Sequence, residues 1–322
     1  MSLVFRSEEE ARGRFGPSAV TLGNFDGVHL GHQHLVKTAR RIADERSSAH
    51  GTQEWTGGVL TFDPHPRRVL VPDQPTHLLT TLDERLALLE SAGAQRILVL
   101  PFTRAVAQLS PEEFVKQVLV ETLDARAVVV GDNFRFGHKQ AGTCDLLRAM
   151  GEHYGFETHF LPQVRYRGEA VSSSAVRHLI RCGAVARAGR LLGRCYGLTG
   201  HVVKGQGIGS KQTVPTLNLA TEAEVLPANG VYITSVTDQD DGRHWPSITN
   251  VGVRPTFNGE GVTIESYLLS PLEGETPQRI RVEFRLWVRV ERKFADAGEL
   301  RAQILKDVGR ALTYWRRVKK RF

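Results

Sequence analysis

A doubly wound α/β sheet followed by a small antiparallel β-barrel with a C-terminal helix is the fold class this chain of 322 residues predicts. Three observations carry it. Up to about residue 186, short apolar runs alternate with amphipathic segments that open on helix start signals, the rhythm of a parallel sheet wrapped by helices. Beyond that point no long helix interrupts the strand candidates, and Arg279 to Glu291 alternates apolar with mostly charged residues, as a strand with one wet face does. An amphipathic stretch after Asp296 then supplies a covering helix. The length exceeds what one core usually serves, so two domains are expected, 1–186 and 187–322.

The elements follow in order. Ser18-Ala-Val-Thr-Leu22 is a short apolar strand, Gly23–Gly27 a tight turn, and His29 opens a helix with Leu35, Val36 and Ala39 on its apolar face. Further strands are expected at Gly58–Phe62, Arg96–Leu100 and Ala127–Gly131. Thr81-Leu-Asp-Glu84 reads as a capping box, with Leu82, Leu86 and Leu89 on one helical face. Ser110-Pro-Glu-Glu113 combines an N-cap serine, a first-turn proline and a glutamate, and Phe114, Val118 and Thr122 recur behind it at fourfold spacing. The loops after the strands, Gly23–Gly27, Asp63–Pro66 and Asp132–Gly137, should gather where a doubly wound sheet holds its ligand. Ser172-Ser-Ser-Ala-Val-Arg177 opens a helix stopping at Gly183, and Ala184–Leu192 is a short helical segment. In the second half, strands are expected at Gly230–Val236, Ser247–Val251, Ile264–Leu269 and Arg279–Glu291. Glu299 caps the last helix, with Leu300, Ile304, Val308 and Leu312 as its apolar stripe.

Composition narrows the function classes. Hydrophobic content of 41% and charged content of 24% are those of an ordinary globular protein. A formal charge of +7 suits anionic small substrates and would equally suit nucleic acid. The basic run Arg316–Arg321 reads as a solvated helix end, its charges meeting the negative end of the dipole, so no nucleic-acid partner is expected. The three cysteines, Cys144, Cys182 and Cys195, form no Cys-x-x-Cys pair, which argues for a reducing compartment and against zinc. No signal core and no run of membrane-spanning length are present, so a cytoplasmic protein without a membrane partner is expected.

The most informative stretch is Thr21-Leu-Gly-Asn-Phe-Asp-Gly-Val-His-Leu-Gly-His32. A strand, a glycine-rich turn and a helix start present backbone N–H groups and the positive end of a helix dipole, an anion site. Cationic side chains are poorly placed there on dipole grounds, so two histidines make sense as donors to phosphate. Arg177, early in its helix behind Ser173 and Ser174, poses the same question and has the same answer.

Four motifs occur in order: Gly23-Asn-Phe-Asp-Gly-Val-His-Leu-Gly-His32, Thr61-Phe-Asp-Pro-His-Pro66, Gly131-Asp-Asn-Phe-Arg-Phe-Gly137 and Ser172-Ser-Ser-Ala-Val-Arg177. Together they resemble the adenylyltransferase half of the bacterial bifunctional riboflavin kinase/FAD synthetase family, a Rossmann-like nucleotidyltransferase. The second half continues the resemblance through Pro215-Thr-Leu-Asn218, Gly230-Val-Tyr232, Asn250-Val-Gly-Val-Arg-Pro-Thr-Phe257, Glu265 and Leu300-x-x-Gln-Ile304. The resemblance implies two ATP-dependent reactions, riboflavin to FMN and FMN to FAD. In the first domain it implies that His29 and His32 bind ATP phosphates, that Gly23, Phe25 and Gly31 shape the pocket, and that Arg177 with Ser173 and Ser174 holds the outgoing phosphates. His65 and Asn133 would lie near the nucleotide or FMN. In the second, it implies Thr216 and Asn218 as hard oxygen ligands for Mg²⁺ carrying ATP, Glu265 as the base for the riboflavin 5′-hydroxyl, and Asn250 and Arg254 as flavin or nucleotide contacts. Two alternatives stay open: an FAD synthetase with an impaired kinase domain, and a non-catalytic flavin-binding regulator. Oligomeric state is not legible.

The chain departs from the family in places. The kinase loop usually reads arginine, any residue, Leu-Gly-Phe, then Pro-Thr-Ala-Asn. Here it is Ser210-Lys-Gln-Thr-Val-Pro-Thr-Leu-Asn218, without the arginine and with Thr213 for a glycine. Ser266-Tyr267 replaces a small residue followed by histidine, and Ser174 stands where threonine is common. Gly205-Gln-Gly-Ile-Gly209 lacks the full dinucleotide-fingerprint spacing and lies in the β domain, so it is discounted.

Overall fold

The structure, a computed structural model, describes residues 2–50, 54–203, 216–256, 259–292 and 294–319. The chain forms two compact units, Met1–Ser173 and Ser174–Phe322. The sequence reading divides the chain after residue 186. The compact units divide earlier because the helical segments at 174–192 pack within the second unit: the Ala228 N–H donates to the Ile180 carbonyl, and Gly183 lies against Trp287.

The first unit runs β1 (Leu3–Phe5), α1 (Glu8–Ala11), β2 (Ser18–Leu22), α2 (Leu30–His50), β3 (Thr56–Asp63), α3 (Pro66–Leu70), α4 (Leu82–Ser91) and β4 (Arg96–Pro101). It continues with α5 (Arg104–Gln108), α6 (Pro111–Phe114), β5 (Ala125–Gly131), α7 (Cys144–Tyr154), β6 (Glu157–Leu161) and the ribbon β7 (Arg165–Tyr166) and β8 (Glu169–Ala170). The expected capping box of Thr81 with Glu84 is present, and the N-cap serine Ser110 closes a second one with Glu113. Behind α6, Val115–Thr122 winds as a π-helix in which Thr122 Oγ1 donates to the Gln117 carbonyl at 2.8 Å.

All pairings of the six-stranded sheet are parallel, in the order β1-β4-β3-β2-β5-β6. Both faces are covered, as parallel sheets require. On β4, Leu98 and Leu100 join Phe114, Val118 and Leu147 on one side, while Ile97 and Val99 join Val36 and Leu89 on the other. The chain winds one way through β2, β3 and β4 and the other way through β5 and β6. The order therefore reverses between β2 and β5, and the loops after those strands open into one crevice. Sequence reasoning missed β1 and β6, the edge strands, which are short or only half-buried.

The second unit opens with α8, whose first residue Ser173 closes the first unit (Ser173–Arg181), and α9 (Val185–Leu192). Then come β9 (Tyr196–Val203), β10 (Thr216–Ala220), β11 (Gly230–Asp238), β12 (His244–Thr256), β13 (Gly259–Leu268), β14 (Arg279–Arg289) and α10 (Ala297–Lys319). The strands close into a barrel in the order β10-β13-β12-β11-β14-β9, every pairing antiparallel. The barrel interior carries a chain of buried hydroxyls, Ser247–Thr234–Thr249–Ser266, with oxygens 2.7–2.8 Å apart.

Two expectations are corrected here. The alternation of β14 does not keep one face inward: Ile280, Val282 and Phe284 are buried, but Leu286 is 42% exposed. The pairing with β11 skips a residue between Phe284 and Leu286, and such a bulge turns the side chains beyond it to the other face. On α10, Val308 packs against the barrel core and Leu300 and Ile304 are half-buried as expected, but Leu312 is exposed, and the buried positions beside that stripe are Asp307 and Ala311. Arg289 meets the Asp307 carboxylate at 2.8 Å, which lets a charged residue occupy that stripe.

Candidate functional site

The turn after β2 is built around two histidines. His29 immediately precedes α2 and caps it: its carbonyl accepts from the Gln33 N–H at 2.9 Å and its ring Nδ1 from the His32 N–H at 3.3 Å. That acceptor role leaves the proton of the neutral His29 imidazole on Nε2. The two rings stack with centroids 3.6 Å apart, and the Phe25 ring meets His32 edge-on at 5.0 Å. Gly31 lets the rings lie so close, because a Cβ there would come within 3.2 Å of the His29 ring. His32 Nδ1 is buried and has no hydrogen-bond partner among the described residues. Burial first, then the His29 ring, holds the His32 pKa well below its ordinary 6.5. The His32 ring is therefore neutral at rest, with a ring nitrogen that finds no partner among the described residues.

The backbone between the strand and the histidines is strained. Phe25 and Val28 are non-glycine residues at φ 51° and 38°, and such conformations cost on the order of 1–3 kcal/mol each. They persist because the turn is held from behind. The Asn24 carbonyl accepts from Thr61 Oγ1 at 3.2 Å and Arg85 Nη1 at 3.0 Å. Asp26 Oδ1 accepts from the Leu79 and Thr80 N–H groups and from Thr80 Oγ1, at 2.8, 3.2 and 3.3 Å. The Asp26 carbonyl accepts from Ser173 Oγ at 2.9 Å, which ties the serine run to the histidine turn. Arg85 is 2% exposed, its guanidinium 3.6 Å from the Asp63 carboxylate. Burial lowers its pKa, against the opposing pull of Asp63 and Asp26.

The other expected residues of the first half stand on separate elements. Gly23 continues the sheet, its N–H donating to the Leu60 carbonyl at 3.1 Å. Phe25 is fully buried beneath His32. Asn133 is exposed in the loop after β5, the strand beside β2. His65 follows β3 and is buried, and its Nδ1 accepts from the Arg67 N–H, so it caps α3. Ser174 is exposed and Arg177 half-buried, both on α8 behind Ser173.

In the barrel, three expected residues share one register row. Asn218 on β10 stands opposite Glu265 on β13, which stands opposite Asn250 on β12. Thr216 is two residues before Asn218, so it lies on the same strand face. That face points away from the core, since the alternate residues Leu217, Ile264, Ser266, Thr249 and Val251 are buried. Arg254 lies in β12 opposite Gly261, and its side chain is outside the described set. The stretches Gly205–Gly209 and Ser210–Val214 are also outside the described residues.

Sequence reasoning missed three side chains here. Glu291 Oε1 accepts from Asn250 Nδ2 at 3.4 Å, and no sequence signal marked it. Thr80 was hidden beside the cap at Thr81. Arg85 did leave a signal: Leu82, Arg85, Leu86 and Leu89 follow i, i+3, i+4, i+7 spacing, which puts a cation in an apolar stripe.

Comparison with known proteins places the family and the fold. A family model described as FAD synthetase matches residues 13–175, and one described as riboflavin kinase matches 192–315. The bifunctional riboflavin kinase/FMN adenylyltransferase of Pseudomonas fluorescens is 35% identical, over 90% of this chain and 91% of its own. The protein of the same description from Bacillus subtilis (strain 168) is 32% identical over 97% and 96%. A crystal structure from Streptococcus pneumoniae, described as a macrolide-efflux protein, superposes with a TM-score of 0.82 at 26% identity, covering 95% of this chain and 97% of that one. Among the described residues of this chain, no helix is long and apolar enough to cross a membrane.

Proposed function

Because the chain belongs to the bifunctional riboflavin kinase/FMN adenylyltransferase family, we propose that its two halves run consecutive steps. The barrel half phosphorylates riboflavin to FMN with ATP, and the sheet half adenylylates FMN to FAD with release of pyrophosphate. The observation that carries the reading is the stacked His29–His32 pair, with the buried His32 Nδ1 unpartnered among the described residues, where the sheet order reverses.

In adenylyl transfer an FMN phosphate oxygen attacks the α-phosphorus of ATP, and the bond to the β-phosphate oxygen breaks. The nucleophile is already anionic, so no strong base is needed; alignment and charge stabilisation carry the acceleration. His29 and His32 donate to the phosphates, and a proton taken up by the pair offsets charge growing on pyrophosphate. Gly23, Phe25 and Gly31 shape that pocket. Arg177, with Ser173 and Ser174, holds the leaving phosphates, and Asn133 and His65 contact the nucleotide or FMN.

Riboflavin phosphorylation starts from a neutral hydroxyl, which does need a base. Glu265 takes the 5′-hydroxyl proton as the oxygen attacks the γ-phosphorus and ADP leaves. Thr216 and Asn218 offer a hydroxyl and a carboxamide oxygen on one strand face, with Glu265 in register. That hard-oxygen set fits Mg²⁺. The ion, when bound, neutralises phosphate charge. Asn250 and Arg254 contact the flavin or nucleotide. Incubation with riboflavin, ATP and Mg²⁺, resolved by chromatography, tests the whole reading: FMN should form first and FAD after it. Failure of FAD to form from supplied FMN would refute the assignment of the first half.

A further inference from the structure

The segment from Leu79 to Arg85 grips the histidine-bearing turn at three points. Arg85 Nη1 donates to the Asn24 carbonyl at 3.0 Å. The Leu79 and Thr80 N–H groups donate to the Asp26 carboxylate. Thr80 Oγ1 donates to that same carboxylate oxygen at 3.3 Å and accepts from the Gly27 N–H at 3.2 Å. Within the held stretch lies Phe25, and just beyond it Val28, both in the left-handed region that disfavours side chains. A turn in that conformation keeps its shape only while its surroundings over-determine it. None of the roles assigned above to ATP, FMN or metal contacts falls on Thr80 or Arg85.

We infer that Thr80 and Arg85 are positioning residues for adenylyl transfer, fixing the turn so that the two imidazoles meet the phosphates in one geometry. The inference rests on the functional reading above. Thr80 works through a hydroxyl that bridges a carboxylate and an amide. Arg85 works through a buried cation that ties the Asn24 carbonyl to the Asp63 side of the turn. Small misplacements of catalytic groups cost large factors in rate, about a hundredfold for about 1 Å.

The test uses the full chain carrying Thr80→Val, Arg85→Met or Arg85→Lys, with FMN adenylylation and riboflavin phosphorylation measured on each preparation. Thr80→Val and Arg85→Met should lower kcat for FAD formation at least tenfold, with smaller changes in KM for ATP and riboflavin phosphorylation unchanged. Arg85→Lys should recover most of the Arg85→Met loss, because an ammonium can still donate to the Asn24 carbonyl. A merely structural role would lower apparent kcat only in proportion to the fraction of chains that still bind ATP in the sheet half, measured by equilibrium binding on the same preparation, and without rescue. If Arg85→Met fails to fold, Thr80→Val decides, since it removes a hydroxyl at nearly constant volume. Variants with kcat within twofold of the parent, or Arg85→Lys as impaired as Arg85→Met, overturn the inference. A parent enzyme that forms no FAD from FMN overturns the functional reading instead.

Discussion

Replacing His32 with asparagine should flatten the acid side of the stability profile. In the folded chain the His32 ring is pressed between the His29 face and the Phe25 edge, and burial pushes its pKa well below 6.5. In the unfolded chain it titrates near the ordinary value. Below that value the unfolded state binds more protons, so stability is complete above about pH 6.5 and falls as the pH drops toward the depressed folded pKa. From about pH 7.5 to about pH 5.5, one such group contributes at most about 1.4 kcal/mol. His32 is only half-buried as a residue, so solvent trims that ceiling.

Urea denaturation at the two pH values, on the parent and on His32→Asn, measures the term as a difference of differences. The parent should lose up to about 1.4 kcal/mol more than the variant over that interval. His29 stays in both proteins, so its contribution largely cancels. Equal losses in the two proteins would mean that the His32 ring titrates in the folded chain as it does unfolded. The account of a neutral His32 ring stacked on His29 would then be wrong.

The same pair predicts that binding pyrophosphate takes up protons near neutral pH, because an anion beside the rings favours their charged form; calorimetry in buffers of different ionisation enthalpy reads this, and no buffer dependence would count against it. Glu265→Gln should abolish riboflavin phosphorylation while FAD formation from FMN continues, and loss of both activities in a folded variant would contradict separate sites. Asp307→Ala leaves the Arg289 guanidinium against the barrel without its carboxylate, and should destabilise the second unit by on the order of 2 kcal/mol in denaturant titration. Ser210→Arg, restoring the usual residue of the kinase loop, should lower KM for ATP in riboflavin phosphorylation without lowering kcat.

Legibility in the sequence followed how local each determinant is. The central strands of the sheet were readable because they are apolar runs buried on both faces, and the helix starts at Thr81 and Ser110 because a capping box closes within four residues. The edge strand Leu3–Phe5 was not, since three residues pair only with β4 and carry no period. The alternation of β14 was read correctly as strand and wrongly as one continuous face. A bulge belongs to the pairing between two strands, and nothing within Phe284-Arg-Leu286 announces it. Asp307 was overlooked for a related reason: its burial depends on Arg289, from another element.

The two candidate sites differ in the same way. The histidine pair is a local device, written within four residues: the cap, the glycine that admits the ring and the second imidazole. Its support is not local. Asn24, Asp26 and Gly27 are held by residues more than fifty positions away in sequence. Motif spacing therefore marks the groups proposed to meet the phosphates and is silent about what holds the turn that carries them. The barrel site inverts this pattern. Asn218, Glu265 and Asn250 lie far apart in sequence, each ordinary where it stands, and only strand register makes them neighbours. Sequence could name those residues through the family resemblance alone. Their physical case rests on the antiparallel pairing that sets a half-buried carboxylate between two carboxamides on one face of the barrel.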